Sequence, residues 1–269
     1  MADADRRVVA LIDAHTTSRD RIEARVERVV RDRWGRFDGW YSDALVAEVA
    51  AEVAAAVAAG QVGVAQVTDA YLARVAQVVR GRAVGPVGVT PDMGQSLRDG
   101  VTGPEVQARA AVEYRWQVST GVERATAAVL AAQRAWNMAS TDLGLAFQHQ
   151  TRTFMTVTGA DGYRRVIRPE RSKGGTCGLC VAASNRVYYK TDLMPLHGGC
   201  HCTVVEVGGD IDEGLVVNDE EYARIAGESD SLNRKDLRKV RVQVQQHGEL
   251  GPVLTDAGHD FRGPAQVAA

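Results

Sequence analysis

Cys177-Gly-Leu-Cys180, sixteen intervening residues, then His197-Gly-Gly-Cys200-His201-Cys202: this run holds all four cysteines of the 269-residue chain. Thiolates and imidazoles are soft to borderline ligands, and four of them set tetrahedrally around an ion close a structural zinc site. The first knuckle is a CxxC whose Gly178 eases the turn that lets both sulfurs face one ion. The second is crowded, with four candidate ligands for two remaining positions. If a strand begins at Cys202 and continues through Val204 and Val205, side chains alternate between faces. Cys200 and Cys202 then share one face and His201 takes the other. The expected ligand set is Cys177, Cys180, Cys200 and Cys202, with His197 as substitute if one thiol is free, and with His201 ranked last. Two disulfides, a redox-active CxxC pair, or unbridged core thiols use the same residues and stay open as alternatives.

Around this run the chain changes character. Up to about residue 155 it is rich in alanine and valine at helical spacing. After Gly159, glycine, proline, β-branched residues and cysteine take over, with strand candidates at 163–167, 187–190 and 203–207. The expected class is α+β: a mainly helical domain over 1–155, a small α+β domain over 156–255 with a zinc-stapled β core, and a flexible tail over 256–269. So short a second piece buries little apolar surface, and metal binding would supply folding free energy in its place.

Within the first half, residues 5–34 read as one charge-laced helix broken near Thr16 and Thr17, its alternating arginines and acids forming a solvated face. Ser42 caps a second helix that stops at Gly60. A third runs from Thr68 to Gly81, and the pair should form an antiparallel hairpin. Residues 81–103 read as a glycine- and proline-rich loop, either mobile or laid against a partner. Thr102-Gly-Pro-Glu105 starts a helix with a capping box that continues to about Met138, about 50 Å, with Gly121 as the candidate bend. A further segment follows over 141–154. Tyr114, Trp116 and Trp136 are expected as core anchors. In the second half, Asn218 should cap a short helix and 231–246 should form another.

The run from Tyr163-Arg-Arg-Val-Ile-Arg-Pro through Cys177-Gly-Leu-Cys180-Val-Ala-Ala-Ser to Leu193-Met-Pro-Leu-His197-Gly-Gly-Cys200-His-Cys202-Thr-Val resembles the carboxy-terminal part of Mu F-like minor head proteins of tailed phages, especially those of actinobacterial hosts. The likeness covers roughly residues 160–206, with a further similarity at Gln246-His-Gly-Glu-Leu-Gly-Pro-Val-Leu254 and a weaker one at Glu113-Tyr-Arg-Trp116. It implies a virion component made in the host cytoplasm and bound to the portal protein inside the head, with major capsid or scaffolding protein as further partners. Some proteins of this type carry the label of capsid maturation protease, so that activity is the first alternative.

The residues give that alternative little. Cys177 with His197 or His201 satisfies a nucleophile and base by count, but GxSxG and HExxH are both missing, and His149 lacks an obvious carboxylate in register. No catalytic residue is assigned. Glu206, the acid nearest after the cluster, reads as a surface carboxylate. The net charge of −2 excludes a generally basic nucleic-acid binder. A local rim of Arg164, Arg165, Arg168, Arg171 and Lys173 could still hold phosphates weakly and without sequence preference, which makes a DNA-binding zinc module the second alternative. The same rim could as well pair with the acidic segment 210–230 of its own chain. No run of eighteen apolar residues suggests a membrane span.

Overall fold

The computed structural model describes residues 5–95, 97–168, 180, 183–188, 202–208, 212–219, 242–247 and 251–256. The protein is mainly helical with a small antiparallel sheet, an α+β arrangement. Its long helices are α1 (Arg6–Gly35), α2 (Asp43–Arg80), α3 (Gly103–Ser119) and α4 (Arg124–Thr158).

Asp5 starts α1 by accepting the Arg7 backbone N–H. The expected break near Thr16 does not occur: the helix is continuous, and the Thr16 hydroxyl donates back to the Ile12 carbonyl at 2.8 Å. Val8, Ile12, Val26, Val30 and Trp34 form the buried stripe. Two of the charged residues read as solvated also lie on it. Arg19 and Glu23 are buried, paired at 3.2 Å, with the Arg19 guanidinium 4.7 Å from the centre of the Phe147 ring.

The two helices expected over 42–81 are a single helix. Ser42 accepts the Leu45 N–H at its start, and Gly81, at φ 62°, ends it in the left-handed conformation. Gly60, read as a stop signal, serves packing instead. A Cβ there would lie 2.6 Å from Val26 Cγ2 and 2.9 Å from Leu143 Cδ2, so the missing side chain is what lets α1, α2 and α4 meet. At 38 residues α2 is about 57 Å long. By length and composition it could cross a membrane, and here it is the central helix, packed against α1, α3 and α4. Aromatic residues gather where α1 turns into α2: Trp34 stacks on Trp40 at 5.6 Å, and Trp40 on Tyr114 at 4.3 Å.

The third helical stretch divides where the sequence suggested a bend. α3 begins with the expected capping box of Thr102 and Glu105, and it stops before Gly121, whose φ of 91° no helix accommodates. Glu123 then caps α4 by accepting the N–H groups of Ala125 and Thr126. α4 runs without interruption to Gly159, absorbing the separate segment expected at 141–154. Tyr114 is buried, whereas Trp116, expected as a core anchor, is 49% exposed. Among its described residues the 81–102 connection is irregular apart from one 3₁₀ turn at Pro91–Gly94, and it is laid on its own bundle. Asp69 accepts the N–H groups of Val87 and Gly88 at 3.1 and 2.8 Å, the Gln150 amide donates to the Gly88 carbonyl at 3.0 Å, and Met93 is fully buried. Arg98, also buried, pairs with Asp142 of α4 at 2.6 Å. Burial pushes the Asp142 carboxyl up and the Arg98 guanidinium pulls it back.

The sheet has the order β2-β1-β3, with β1 Gly162–Val166, β2 Val187–Tyr188 and β3 Thr203–Val207, all pairs antiparallel. In register, Tyr163 faces Tyr188 on one side and Glu206 on the other. A helix over 213–219 follows, capped by Asp212, which accepts the Leu215 N–H; Asn218, expected as the cap, lies inside it. A separate hairpin pairs β4 (Val242–His247) with β5 (Gly251–Asp256). The helix expected over 231–246 is therefore strand from 242 onward, and 231–241 lie outside the described residues. One buried apolar cluster runs from Val8 to Val217 and includes residues on both sides of position 155.

Candidate metal centre

Of the residues expected to hold zinc, the structure describes Cys180 and Cys202. Both are buried, and both belong to the apolar cluster beneath the sheet. Cys202 directly precedes β3, which occupies the predicted 203–207. Cys177, His197, Cys200 and His201 lie outside the described residues. Among the described residues, no group of three His, Cys, Asp or Glu side chains could hold a metal ion.

Beside this cluster the sheet carries buried polar and charged side chains. Arg164 is 6% exposed, and its guanidinium donates to Asp212 at 2.8 Å and to the Ser184 carbonyl at 3.1 Å. Arg165, 1% exposed, lies with its guanidinium 5.2 Å from the Tyr188 ring centre, while the exposed Arg186 covers the same ring at 4.8 Å. Tyr188 also stacks on Tyr163 at 5.4 Å. Burial raises the Tyr188 hydroxyl above its ordinary pKa, the two arginines work against that, and Cys202 is near enough to add to the rise. Arg168 donates to Asp13 of α1 at 3.0 Å. Three of the five residues read as a phosphate rim are thus engaged inside the chain, and Arg164 takes a partner from the acidic segment named as the alternative. Arg171 and Lys173 lie outside the described residues.

Several residues that organise this region carry no sequence signal of doing so. Asn218, fully buried, accepts the Ile167 N–H at 3.0 Å and donates to the carbonyls of Arg165 at 2.8 Å and Ser184 at 3.3 Å. Its one amide joins β1, the helical residues 183–184 and the 213–219 helix. Glu206, read as a surface carboxylate, is 6% exposed and accepts from Arg80 at 2.5 Å. Arg80 also donates to the carbonyl and hydroxyl of Thr158, so the C-terminal ends of α2 and α4 and the strand β3 converge on one guanidinium.

His15 of α1 links the helices to the sheet. Its Nε2 lies 3.3 Å from the Thr68 hydroxyl and its Nδ1 3.3 Å from the Thr203 hydroxyl, with the ring stacked 4.3 Å from Tyr71. Tyr71 in turn donates to the Val204 carbonyl of β3, the edge strand, at 2.7 Å. Burial drives the Tyr71 hydroxyl far above its ordinary value. A pattern of buried and exposed apolar residues predicts helix faces, but these bonds join positions up to 188 residues apart, which no local spacing encodes. His149, the other histidine weighed for chemistry, is held below its ordinary pKa by burial and by Arg152, with Asp92 of the 3₁₀ turn opposing them.

No family model, curated protein or solved structure matches the chain.

Proposed function

We propose that the chain is a structural minor head protein of a tailed phage, bound to the portal at the portal vertex and acting in head assembly or DNA delivery. The observation that carries this reading is the exposed apolar surface of the helical half. Tyr41, Leu45, Val112, Trp116 and Val129 are each 46% exposed or more. Tyr41 sits edge-on to Tyr114 at 6.1 Å, and Arg115 donates to the Trp40 carbonyl and to Asp43, so the start of α2 and the end of α3 form one corner bearing Tyr41, Leu45 and Trp116. Large aromatic side chains left exposed beside an arginine are the composition of a protein contact. The sequence likeness over 160–206 supplies the identity of the partner.

On this reading Cys177, Cys180, Cys200 and Cys202, or His197 in place of one thiol, hold a structural zinc that fastens the 160–207 region. The burial of Cys180 and Cys202 suits a closed site. The engagement of Arg164, Arg165 and Arg168 inside the chain favours docking over a DNA-binding role.

Co-expression with the cognate portal tests the docking. The two should co-purify, and Trp116→Ala combined with Tyr41→Ala should weaken the complex at least tenfold without changing helical content. Failure of the unmodified proteins to associate would overturn the reading. For the metal, elemental analysis of reduced protein should find about one zinc per chain, lost in Cys177→Ser; zinc-free native protein would remove the proposed centre.

A further inference from the structure

Between the first half of α2, the start of α3 and the connection over 94–104 lies a cavity of about 560 Å³, within the size range of small-molecule sites. Ala51, Ala54 and Ala58 form a smooth apolar wall along α2, because residues three and four apart share a helix face. The lining also carries Gln61 and Gln107, both buried. Neither the oxygen nor the nitrogen of the Gln107 side chain has a hydrogen-bond partner, although the residue is 1% exposed. Buried polar groups are nearly always paired, and an amide with both ends unpaired marks a missing complement. Arg98 and Asp142, the charged members of the lining, neutralise each other at 2.6 Å.

We propose that this cavity binds a small neutral planar ligand whose edge presents a hydrogen-bond donor beside an acceptor, as a carboxamide or a nucleobase edge does. Rotation of the unpaired Gln107 side chain toward the cavity would bring the complementary acceptor and donor to such an edge, the same two-point match by which glutamine reads adenine. The alanine wall accepts the flat face of a ring. An anion or cation is disfavoured because the nearby charges are already paired. The lining includes neither Cys180 nor Cys202, and the proposal does not depend on a role in head assembly.

Titration of the full chain with nicotinamide, adenine and toluene, followed through the side-chain amide resonances of Gln61 and Gln107 by nuclear magnetic resonance, tests this. Nicotinamide, adenine or both should shift the Gln107 amide saturably, and Gln107→Leu should weaken that binding at least tenfold. A response to nicotinamide alone identifies a carboxamide reader, and one to adenine alone a base reader. Gln107→Leu exchanges an unpaired amide for an apolar group of similar size and should fold; Gln107→Met carries the same comparison if it does not. The proposal is overturned if neither compound gives a saturable shift at millimolar concentration, which would mean that the cavity holds water only. It is equally overturned if toluene binds as well as both, or if the Gln107 variant binds as tightly as the unmodified protein.

Discussion

The contacts between the helices and the contacts within the sheet are made of different material. Where α2 passes α1 and α4 at Gly60, bare backbone meets methyl groups, since a Cβ there would collide with Val26 and Leu143, and Ala50, Ala65, Ala139 and Ala146 on α2 and α4 are fully buried. Around β1 and β3, Arg164, Arg165, Ser184, Thr203, Glu206 and Asn218 are all buried. The helical region gains its stability from close approach and should be intolerant of added volume. Around the sheet, stability rests on paired donors and acceptors such as Arg164 with Asp212 and Asn218 with the Arg165 carbonyl, and removing one strands the other.

The largest effect should come from the sheet side. Asp212→Ala leaves the Arg164 guanidinium buried without its carboxylate and also removes one of the two acceptors of the Leu215 N–H, the Asp212 backbone carbonyl being the other. Breaking one side of a buried pair costs roughly 3 kcal/mol or more, which denaturant titration would read directly. A loss below about 1 kcal/mol would show that the polar bonds around β1 are not what holds it.

Gly60→Leu comes next, at about 2–3 kcal/mol of destabilisation from overpacking against Val26 and Leu143. Here a rise in thermal midpoint would contradict the close-approach account. Gly144 provides the internal control on α4, since a Cβ there meets nothing within 4 Å. Gly144→Ala should stabilise the protein by up to about 1 kcal/mol through helix propensity alone, and a measured loss would mean that the surface is covered.

The smallest expected effect is a pH dependence at the α4 start. Hydrogen bonds from the Ala125 and Thr126 N–H groups hold the Glu123 carboxyl below its ordinary value near 4.5. A depressed folded-state value means that the ionised cap stabilises above the unfolded pKa, and that its contribution is lost as pH falls through the folded one. Glu123→Gln should therefore lower the thermal midpoint slightly at pH 6 and leave it unchanged near pH 3. An equal shift at both pH values would assign the effect to shape rather than charge.

How far these features could be read in advance follows the same division. Ser42, Thr102 and Gly81 act as the caps and stop that their types suggest, and β3 falls where alternation placed it. Gly60 misled because a glycine that ends a helix and one that lets helices touch look alike until the neighbours are known. Arg19 and Glu23 read as surface because pairing across one helical turn is compatible with either environment. The greatest gap is Asn218, whose three partners come from segments 34 to 53 residues away. Of the zinc candidates, the spacing named a set of which Cys180 and Cys202 are seen to be buried, and the cavity beside Gln107 left no mark because alanines at helical spacing are ordinary core.

The central position of α2 also bears on how the chain is made. Its apolar flanks are completed by α3 and α4, whose residues emerge from the ribosome tens of positions later. At about 5–20 residues per second, several seconds pass in which a helix with the composition of a membrane span has α1 alone to lie against. The charged outer face of α1 keeps that early pair in water. Synthesis of α1 before α2 makes α1 a built-in escort for a helix as apolar as a membrane span.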